Sequence, residues 1–205
     1  MKVLIVDDHA VVRQGVTRLI SQIPDVVTFE AETSADALAV LRTEEPDVVV
    51  LDINLGGSSG LELLQRIKAE GHSAAVVMFS MYSDPHYAMR ALRAGASAYV
   101  SKSASIDELV TAIKKVAAGE KYVEQELAKE LAFTAIDQTD PMQQLTNRET
   151  EILRLLGEGK SLSEIASTFG IAYKTVANAC SRLKEKLGLD RTADLIRISV
   201  ENRTR

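Results

Sequence analysis

Over about the first 120 residues, short runs of Val, Ile and Leu alternate with longer stretches that carry apolar residues at helical spacing. A run that is apolar at every position fits a strand buried on both faces, and such strands belong to parallel sheets. Because parallel strands need a crossover, the stretches between them are predicted to be helices that cover the sheet. The predicted strands are Lys2–Val6, Val26–Glu30, Asp47–Leu51, Ala75–Phe79 and Ala98–Val100.

Five such strand–helix repeats predict a doubly wound α/β domain of the flavodoxin-like kind, with a five-stranded parallel sheet in the order 2-1-3-4-5. We assign residues 1–121 to this domain and residues 122–143 to a linker with a short acidic helix. Residues 144–205 show only helical patterns, so we expect a separate all-α domain with four helices.

Polar side chains directly follow four of the predicted strands. Sheets of this kind bind ligands at the carboxyl ends of their strands, so we expect these side chains to converge at one edge. Three carboxylates at that edge suit Mg²⁺ or Mn²⁺, and a bound cation would offset the repulsion within the acidic pair. Ordinary turn residues and a solvated lysine are the alternative, which the consistent placement at strand ends disfavours. The residues are Asp7 and Asp8 after strand 1, Asp52 after strand 3, Ser80 after strand 4 and Lys102 after strand 5.

Composition excludes some classes of protein. No apolar run approaches the roughly 20 residues that a membrane helix needs. The one cysteine, Cys180, excludes an internal disulfide and fits a reducing compartment. We therefore expect a cytoplasmic protein without a membrane partner.

The second domain has the pattern of a helix-turn-helix unit. Two Ser/Thr-x-x-Glu capping boxes mark helix starts, and Gly170 and Gly188 mark helix ends. In such units the second helix enters the major groove of DNA while the first crosses the backbone. Residues 144–205 also carry 11 Lys/Arg against 8 Asp/Glu, whereas the chain before them is acidic. The predicted boxes and later helices are Thr146–Glu149, Ser161–Glu164, Lys174–Leu187 and Thr192–Glu201.

The third helix of this domain is expected to face the DNA. Asn can read adenine and Arg can read guanine, each through two hydrogen bonds, while lysines contact phosphates. For any single lysine, a solvated helix face is an equally good interpretation. The candidates for base contacts are Lys174, Thr175, Asn178, Ser181 and Arg182, and those for phosphate contacts are Lys160, Lys174, Lys184 and Lys186.

Residues 1–120 resemble the receiver domain of two-component response regulators. The resemblance implies that Asp52 accepts a phosphoryl group from a sensor histidine kinase and that Lys102 pairs with a phosphoryl oxygen. It also implies that Ser80 moves toward the phosphate and that Tyr99 follows it inward. The match rests on Asp7-Asp8, on Asp52 after VVVL, on Ser80 after VVMF, and on Tyr99 and Lys102.

The same resemblance implies a metal site. Asp8, Asp52 and the backbone carbonyl of Asn54 would hold Mg²⁺, with Asp7 acting through water. A receiver catalyses only its own phosphorylation and dephosphorylation, so we expect no enzyme activity on a separate substrate.

Three positions depart from the receiver pattern. Leu55-Gly56-Gly57 stands where the family commonly has Met-Pro, which predicts a looser turn after the acceptor. Met81 follows Ser80 where a small residue is usual, so we expect it to crowd the phosphoryl pocket. Ser103 replaces the proline that commonly follows the lysine, so a cis peptide there would lack proline's low cost. No required group is lost, so we expect altered rates and unaltered chemistry.

Residues Leu145–Leu195 resemble the LuxR-type DNA-binding domain, and the two resemblances together indicate the NarL/FixJ group of response regulators. Family members often carry Lys after Thr-Val and His two positions further on, where this chain has Ala177 and Ala179. Fewer basic contacts predict weak binding by a monomer, dependence on dimerisation, or a changed target. The matching residues are the LT-x-RE-x-E-x-L opening, Gly159-Lys160-Ser161, Glu164-Ile165-Ala166, Thr175-Val176 and Lys186-Leu187.

The preferred hypothesis is a transcription regulator in which phosphorylation of Asp52 switches on a homodimer that binds double-stranded DNA. One alternative keeps the receiver but lets the second domain act through protein or RNA partners, or bind DNA regardless of phosphorylation. Another, a phosphohydrolase of the haloacid-dehalogenase type, needs a second Asp two residues after Asp7, and position 9 is His. His9 itself is expected to be a solvated residue at the start of a helix.

Overall fold

The computed structural model describes residues 1–56, 58–82, 85–136, 142, 145–189 and 191–203. The chain divides into two compact units, Met1–Thr134 and Ala135–Arg205. Among the residues described, no helix is both long enough and apolar enough to cross a membrane. Residues 137–141 and 143 of the predicted linker lie outside the described residues.

The first unit is built on one parallel sheet, and five of its strands are those predicted from the sequence. Their order is the predicted one, and a sixth, short strand adds to the last of them. The strands are β1 Lys2–Val6, β2 Val27–Ala31, β3 Val48–Leu51, β6 Ala75–Ser80, β7 Ala98–Ser101 and β8 Tyr122–Val123, while β4 Asn54–Leu55 and β5 Ser58–Ser59 form a separate antiparallel hairpin.

Helices cover both faces of this sheet, which explains why its strands are apolar at every position. They are α1 Ala10–Ile20, α2 Ser34–Glu44, α3 Gly60–Ala69, α4 Pro85–Arg93 and α5 Ile106–Ala117. Leu4 of β1 points into the core that α2, α3 and α4 close. Val3 and Ile5 point into the core that α1 and α5 close.

The chain continues past α5 inside the first unit. Tyr122–Val123 pairs with β7, and the next helix, α6, spans Gln125–Ile136. Leu127 and Leu131 of α6 are 2% and 8% exposed and belong to the core that α2, α3 and α4 close. The segment predicted as a linker from residue 122 therefore begins as a strand and a docked helix. A two-residue strand has no periodicity to detect, so the sequence pattern gave no sign of it.

The second unit contains the four predicted helices. The capping boxes of α7 and α8 form as expected, and Gly188 ends α9 in the left-handed region with φ 65°. A Cβ at Gly157 would lie 2.1 Å from Ser199 Oγ, so α7 and α10 approach closely at this glycine. The helices are α7 Asn147–Gly157, α8 Leu162–Thr168, α9 Tyr173–Leu187 and α10 Thr192–Arg203, and their shared core includes Ile152, Ile165, Val176, Leu183 and Leu195.

Candidate functional site

Four strands of the first unit bring the predicted polar residues to one edge of the sheet. Asp7 follows β1, Asp52 follows β3, Ser80 ends β6 and Lys102 follows β7. Asp7 is 2% exposed, Asp52 6% and Ser80 0%, although aspartate is seldom buried without a partner. The structure therefore places these residues together in a buried position.

Lys102 joins the two buried carboxylates. Its Nζ lies 2.6 Å from Asp7 Oδ2 and 2.8 Å from Asp52 Oδ2. Burial raises the pKa of Asp52, and the Lys102 ammonium opposes that shift without reversing it. Burial alone would lower the pKa of Lys102, but its hydrogen bonds and charge interactions with Asp52 and Asp7 outweigh burial and raise it. Lys102 is thus held as an ammonium directly beside Asp52.

The same edge fits a hard cation. One ligand atom from each of Asp7, Asp8, His9 and Asp52 lies within 4.8 Å of all the others. Asp8 Oδ1 is buried and accepts no hydrogen bond from the residues described, although His9 Nδ1 lies 2.7 Å away. A buried carboxylate oxygen without a hydrogen bond is costly, and a cation would remove that cost. Carboxylate oxygens are the ligands that Mg²⁺ and Mn²⁺ prefer.

Two neighbours of the cluster have clear backbone roles. His9 immediately precedes α1, its backbone N–H donates to Asp7 Oδ1 at 2.8 Å, and its side chain is 66% exposed. This agrees with the expected solvated residue at a helix start. The backbone of Asn54 hydrogen-bonds to the Asp52 carboxylate. Coordination of a metal by the Asn54 carbonyl stays a prediction.

The loop after β3 depends on a glycine that the sequence pattern did not single out. A Cβ at Gly60 would lie 1.9 Å from the backbone carbonyl oxygen of Asp52. The Gly60 N–H donates to the Ile53 carbonyl at 2.6 Å, which fixes this close approach. Any other residue at position 60 would push the backbone that carries Asp52.

Among the residues described, the departures from the family pattern replace no side chain of the buried cluster. Leu55 is 3% exposed and pairs with Ser58 in the hairpin of β4 and β5; Gly57 lies outside the described residues, so the looser turn stays a prediction. The Met81 side chain is 70% exposed, so most of it lies in solvent and does not fill the cluster. The peptide bond before Ser103 is trans, like all the others described.

Tyr99 already lies inside the first unit. It is 0% exposed, and its hydroxyl donates to the Tyr82 carbonyl at 2.6 Å. The Tyr82 ring stacks on Tyr87, with centroids 4.9 Å apart and planes 18° from parallel. The Tyr82 N–H donates to Ser80 Oγ at 3.3 Å. Tyr82, which the sequence did not single out, therefore links the two predicted switch residues.

The predicted recognition helix, α9, presents one exposed face. Ala179 is 5% exposed and packs in the core of the second unit, so this departure from the family pattern falls at a packing position. Ala177 is partly buried. The residues predicted to contact bases are all exposed, and their spacing places them on one side of the helix. They are Lys174, Thr175, Asn178, Ser181 and Arg182.

The lysines predicted to contact phosphates differ in their surroundings. Lys160 is exposed and Lys184 is partly buried. Lys186 Nζ lies 2.7 Å from Glu149 Oε2, and the Glu149 side chain is 7% exposed. Burial would raise the pKa of Glu149, but the hydrogen bonds from Lys186 and Thr146 outweigh burial and lower it. Lys186 therefore ties α9 to α7, and a phosphate contact by this residue stays a prediction.

Comparison with known proteins covers both units. Residues 3–114 match the family model described as the response regulator receiver domain, and residues 143–199 match that of the bacterial regulatory proteins, luxR family. The response regulator GacA of Pseudomonas aeruginosa is 31% identical over 98% of this chain and 96% of its own. The DNA-binding transcriptional activator DevR/DosR of Mycobacterium tuberculosis is 36% identical over 93% of this chain and 90% of its own.

A solved structure shows the same two-part architecture. It is a structure of two RcsB dimers bound to two parallel DNAs, with a TM-score of 0.63, 25% identity and 98% of each chain covered. The family models span the buried cluster at the sheet edge and the exposed face of α9. The chain belongs to the two-component response regulators of the NarL/FixJ group, and it is a phosphorylation-dependent transcription regulator with a receiver domain and a LuxR-type DNA-binding domain.

Proposed function

We propose that Asp52 is the phosphoryl acceptor and that a sensor histidine kinase is the donor. An oxygen of Asp52 forms the new bond to phosphorus while the bond from phosphorus to the kinase histidine nitrogen breaks, and its electron pair returns to the imidazole. The observation that carries this proposal is the position of Lys102 Nζ, 2.8 Å from Asp52 Oδ2. An ammonium there stands next to the phosphoryl oxygens, which gain charge during transfer.

The receiver's own residues prepare the acceptor. Lys102, itself held by Asp7, holds the Asp52 side chain, and the burial of all three side chains excludes bulk water from the acylphosphate that forms. Mg²⁺ or Mn²⁺, held by Asp7, Asp8, Asp52 and the Asn54 carbonyl, would supply positive charge to the phosphoryl oxygens. The domain would act only on itself, in phosphorylation and dephosphorylation, and would not be an enzyme for other substrates.

The signal would leave the site through Ser80. Its Oγ accepts a hydrogen bond from the Tyr82 N–H, and the Tyr82 carbonyl accepts one from the Tyr99 hydroxyl. A phosphoryl group adds strong acceptor oxygens to which the Ser80 hydroxyl can donate. Movement of Ser80 would therefore displace the backbone of Tyr82, which also holds Tyr99. Packed side chains of this kind switch between discrete arrangements.

The output would be double-stranded DNA bound by a homodimer in the cytoplasm. The exposed face of α9 supports this proposal, because its Asn178 and Arg182 side chains are free of the core and suited to base edges. The cytoplasm is proposed because a protein that binds chromosomal DNA must be in the same compartment as the chromosome. The similar chains named above include a DNA-binding transcriptional activator and RcsB dimers bound to DNA.

One observation favours a second possibility, DNA binding that does not wait for phosphorylation. Tyr99 is already buried, the position that the active receiver was expected to adopt. We would therefore select from randomised duplex DNA with the full chain, with and without Mg²⁺ and beryllofluoride, and repeat both selections with Asp52→Asn.

Enrichment of a two-half-site motif only with beryllofluoride, and only when Asp52 is present, is the result expected from the proposed function. Enrichment in every condition would instead support binding without phosphorylation. Enrichment in none would turn the search to protein or RNA partners of the second domain.

A further inference from the structure

The segment that follows α5 reaches the loop of Lys102. β8 pairs with β7, and the ladder ends at Val123. At Glu124 the chain turns away into α6, and the Glu124 side chain takes the place of the backbone as the hydrogen-bond partner of β7. The Ser101 N–H donates to Glu124 Oε2 at 3.2 Å. A carboxylate from the segment after the receiver's last helix therefore binds the residue immediately before Lys102.

This hydrogen bond completes the support of the loop. The Lys102 N–H donates to the Ser80 carbonyl at 2.7 Å, which holds the loop from the side of β6. Ser101 Oγ lies 2.6 Å from Ser103 Oγ and accepts from the Ser103 N–H at 3.1 Å, so the loop also closes on itself. Glu124 supplies the support from the opposite side. The backbone on both sides of the loop is therefore held while the Lys102 side chain contacts the carboxylates.

Glu124 is also where the docked helix begins. Its backbone carbonyl accepts from the Ala128 N–H at 2.9 Å, which starts the hydrogen bonding of α6. Within the next two turns, Leu127 and Leu131 enter the core of the first unit. One residue thus touches the lysine loop with its side chain and sets the start of α6 with its backbone.

We propose that Glu124 is a positioning residue for phosphoryl transfer. Its carboxylate holds the loop that delivers Lys102, so that phosphoryl binding at Asp52 and docking of residues 122–131 depend on each other. The inference rests on the proposed function, since it assigns to Glu124 the support of the ammonium that meets the phosphoryl oxygens. Linkage makes the dependence reciprocal: a phosphoryl group at Asp52 changes the docking of the segment by the same factor by which docking changes phosphoryl binding.

Other contacts keep the segment in place when Glu124 is changed. The Tyr122 hydroxyl donates to Glu108, and the Lys115 ammonium lies 4.9 Å from the centroid of the Tyr122 ring. Leu127 and Leu131 are buried in the core that α2, α3 and α4 close. A substitution of Glu124 is therefore expected to leave the chain folded and to act on the lysine loop.

The test uses the full chain and three substitutions. Glu124→Gln keeps a carbonyl oxygen that can accept from Ser101, Glu124→Met keeps the length and removes the acceptor, and Glu126→Met is the control. Glu126 lies two residues further on, is 77% exposed, and pairs with Lys129 of the same helix. Calorimetric titration gives the affinity for beryllofluoride at saturating Mg²⁺ and, separately, the affinity for Mg²⁺.

Glu124→Met is expected to weaken beryllofluoride binding at least about fivefold. The affinities of the Glu124→Gln and Glu126→Met chains for beryllofluoride should stay within about twofold of that of the unchanged chain. A typical coupling changes an affinity by about fivefold or more, so a twofold difference counts as none. Affinity for Mg²⁺ should not change in any of them, because the carboxylates of the site are untouched. General loss of structure would lower both affinities, so the difference between them identifies a positioning role.

Amide hydrogen exchange gives a second reading on the unchanged chain. Beryllofluoride should change the exchange of residues 122–131, and this change should persist in Glu124→Gln and disappear in Glu124→Met. Unchanged exchange in the natural sequence would overturn the inference without any substitution.

The remaining outcomes separate the two proposals. If the unchanged chain binds beryllofluoride and Glu124→Met binds it equally well, the inference is wrong and the proposed function stands. If the unchanged chain does not bind beryllofluoride with Mg²⁺, both are wrong.

Discussion

At the sheet edge of the first unit, the functional side chains bond to one another, whereas along α9 of the second unit they face solvent. Lys102, Asp7 and Asp52 form a buried set with distances of 2.6 and 2.8 Å. Asn178 and Arg182 are exposed on the face opposite the core. In the first site the functional groups already contact one another within the chain. In the second, the side chains would take fixed positions only when DNA is bound. Substitutions should therefore act on chemistry in one unit and on binding in the other.

Asp52→Asn should produce the largest effect, complete loss of phosphorylation by acetyl phosphate with Mg²⁺. The amide that replaces the Asp52 carboxylate beside Lys102 is a poor nucleophile. Gels that retard phosphoproteins measure the loss. Asp107→Asn, an exposed residue in the first turn of α5, is the control and should be phosphorylated normally. Equal phosphorylation of both variants would show that the acceptor lies elsewhere.

Gly157→Ala should destabilise the second unit by about 1–3 kcal/mol, the usual effect of overpacking. The new Cβ would meet Ser199 Oγ at 2.1 Å, and α10 would have to shift. Hydrogen exchange in α7 and α10 measures the loss. Gly15→Ala is the matched control, since nothing lies within 4 Å of its Cβ position in α1. That change should stabilise the first unit by about 0.5–1 kcal/mol.

Lys186→Met should destabilise the second unit by about 1–3 kcal/mol, because it leaves the buried Glu149 carboxylate without its cation. The pKa of Glu149 is lowered from 4.5, so its contribution to stability is present above pH 4.5 and is lost as the pH falls through the lowered pKa. Lys186→Met should flatten that dependence in acid unfolding curves. Lys160→Met, at an exposed position, should leave it unchanged.

Lys174→Met should produce the smallest effect, on DNA binding alone. Loss of one phosphate contact lowers the slope of log affinity against log salt by about 0.9. Titration of the selected DNA at several salt concentrations measures the slope. Lys114→Met, an exposed lysine of α5, should leave the slope unchanged. A slope that is also unchanged in Lys174→Met would remove this residue from the phosphate contacts.

The sequence predicted the buried site well because strand ends have fixed positions in a parallel sheet. Once five apolar runs were read as strands in one order, Asp7, Asp52, Ser80 and Lys102 had to meet. Asp8 lies in the loop after β1 and Asn54 in the short strand β4 of the hairpin after β3, where the sequence alone does not fix distances.

The residues that escaped prediction act through backbone or through distant packing. Gly60 is needed because a Cβ at this position would lie 1.9 Å from the Asp52 carbonyl oxygen, and no local sequence pattern encodes that close approach. Ala179 was compared with groove-facing residues of the family, but its 5% exposure places it in the core. Lys186 was assigned to phosphate by its charge, whereas its partner Glu149 lies 37 residues earlier in the chain. Such contacts depend on tertiary packing, which a helical periodicity does not specify.

The short strand β8 also affects how the first unit meets other copies of itself. An open sheet edge presents unpaired N–H and C=O groups that can template a strand from another molecule. Without β8, the four-residue strand β7 would form that edge. With it, the outermost strand has two residues, and the chain then leaves the sheet as a helix. The segment thus gives this side of the sheet protection against edge-to-edge aggregation in a crowded cell.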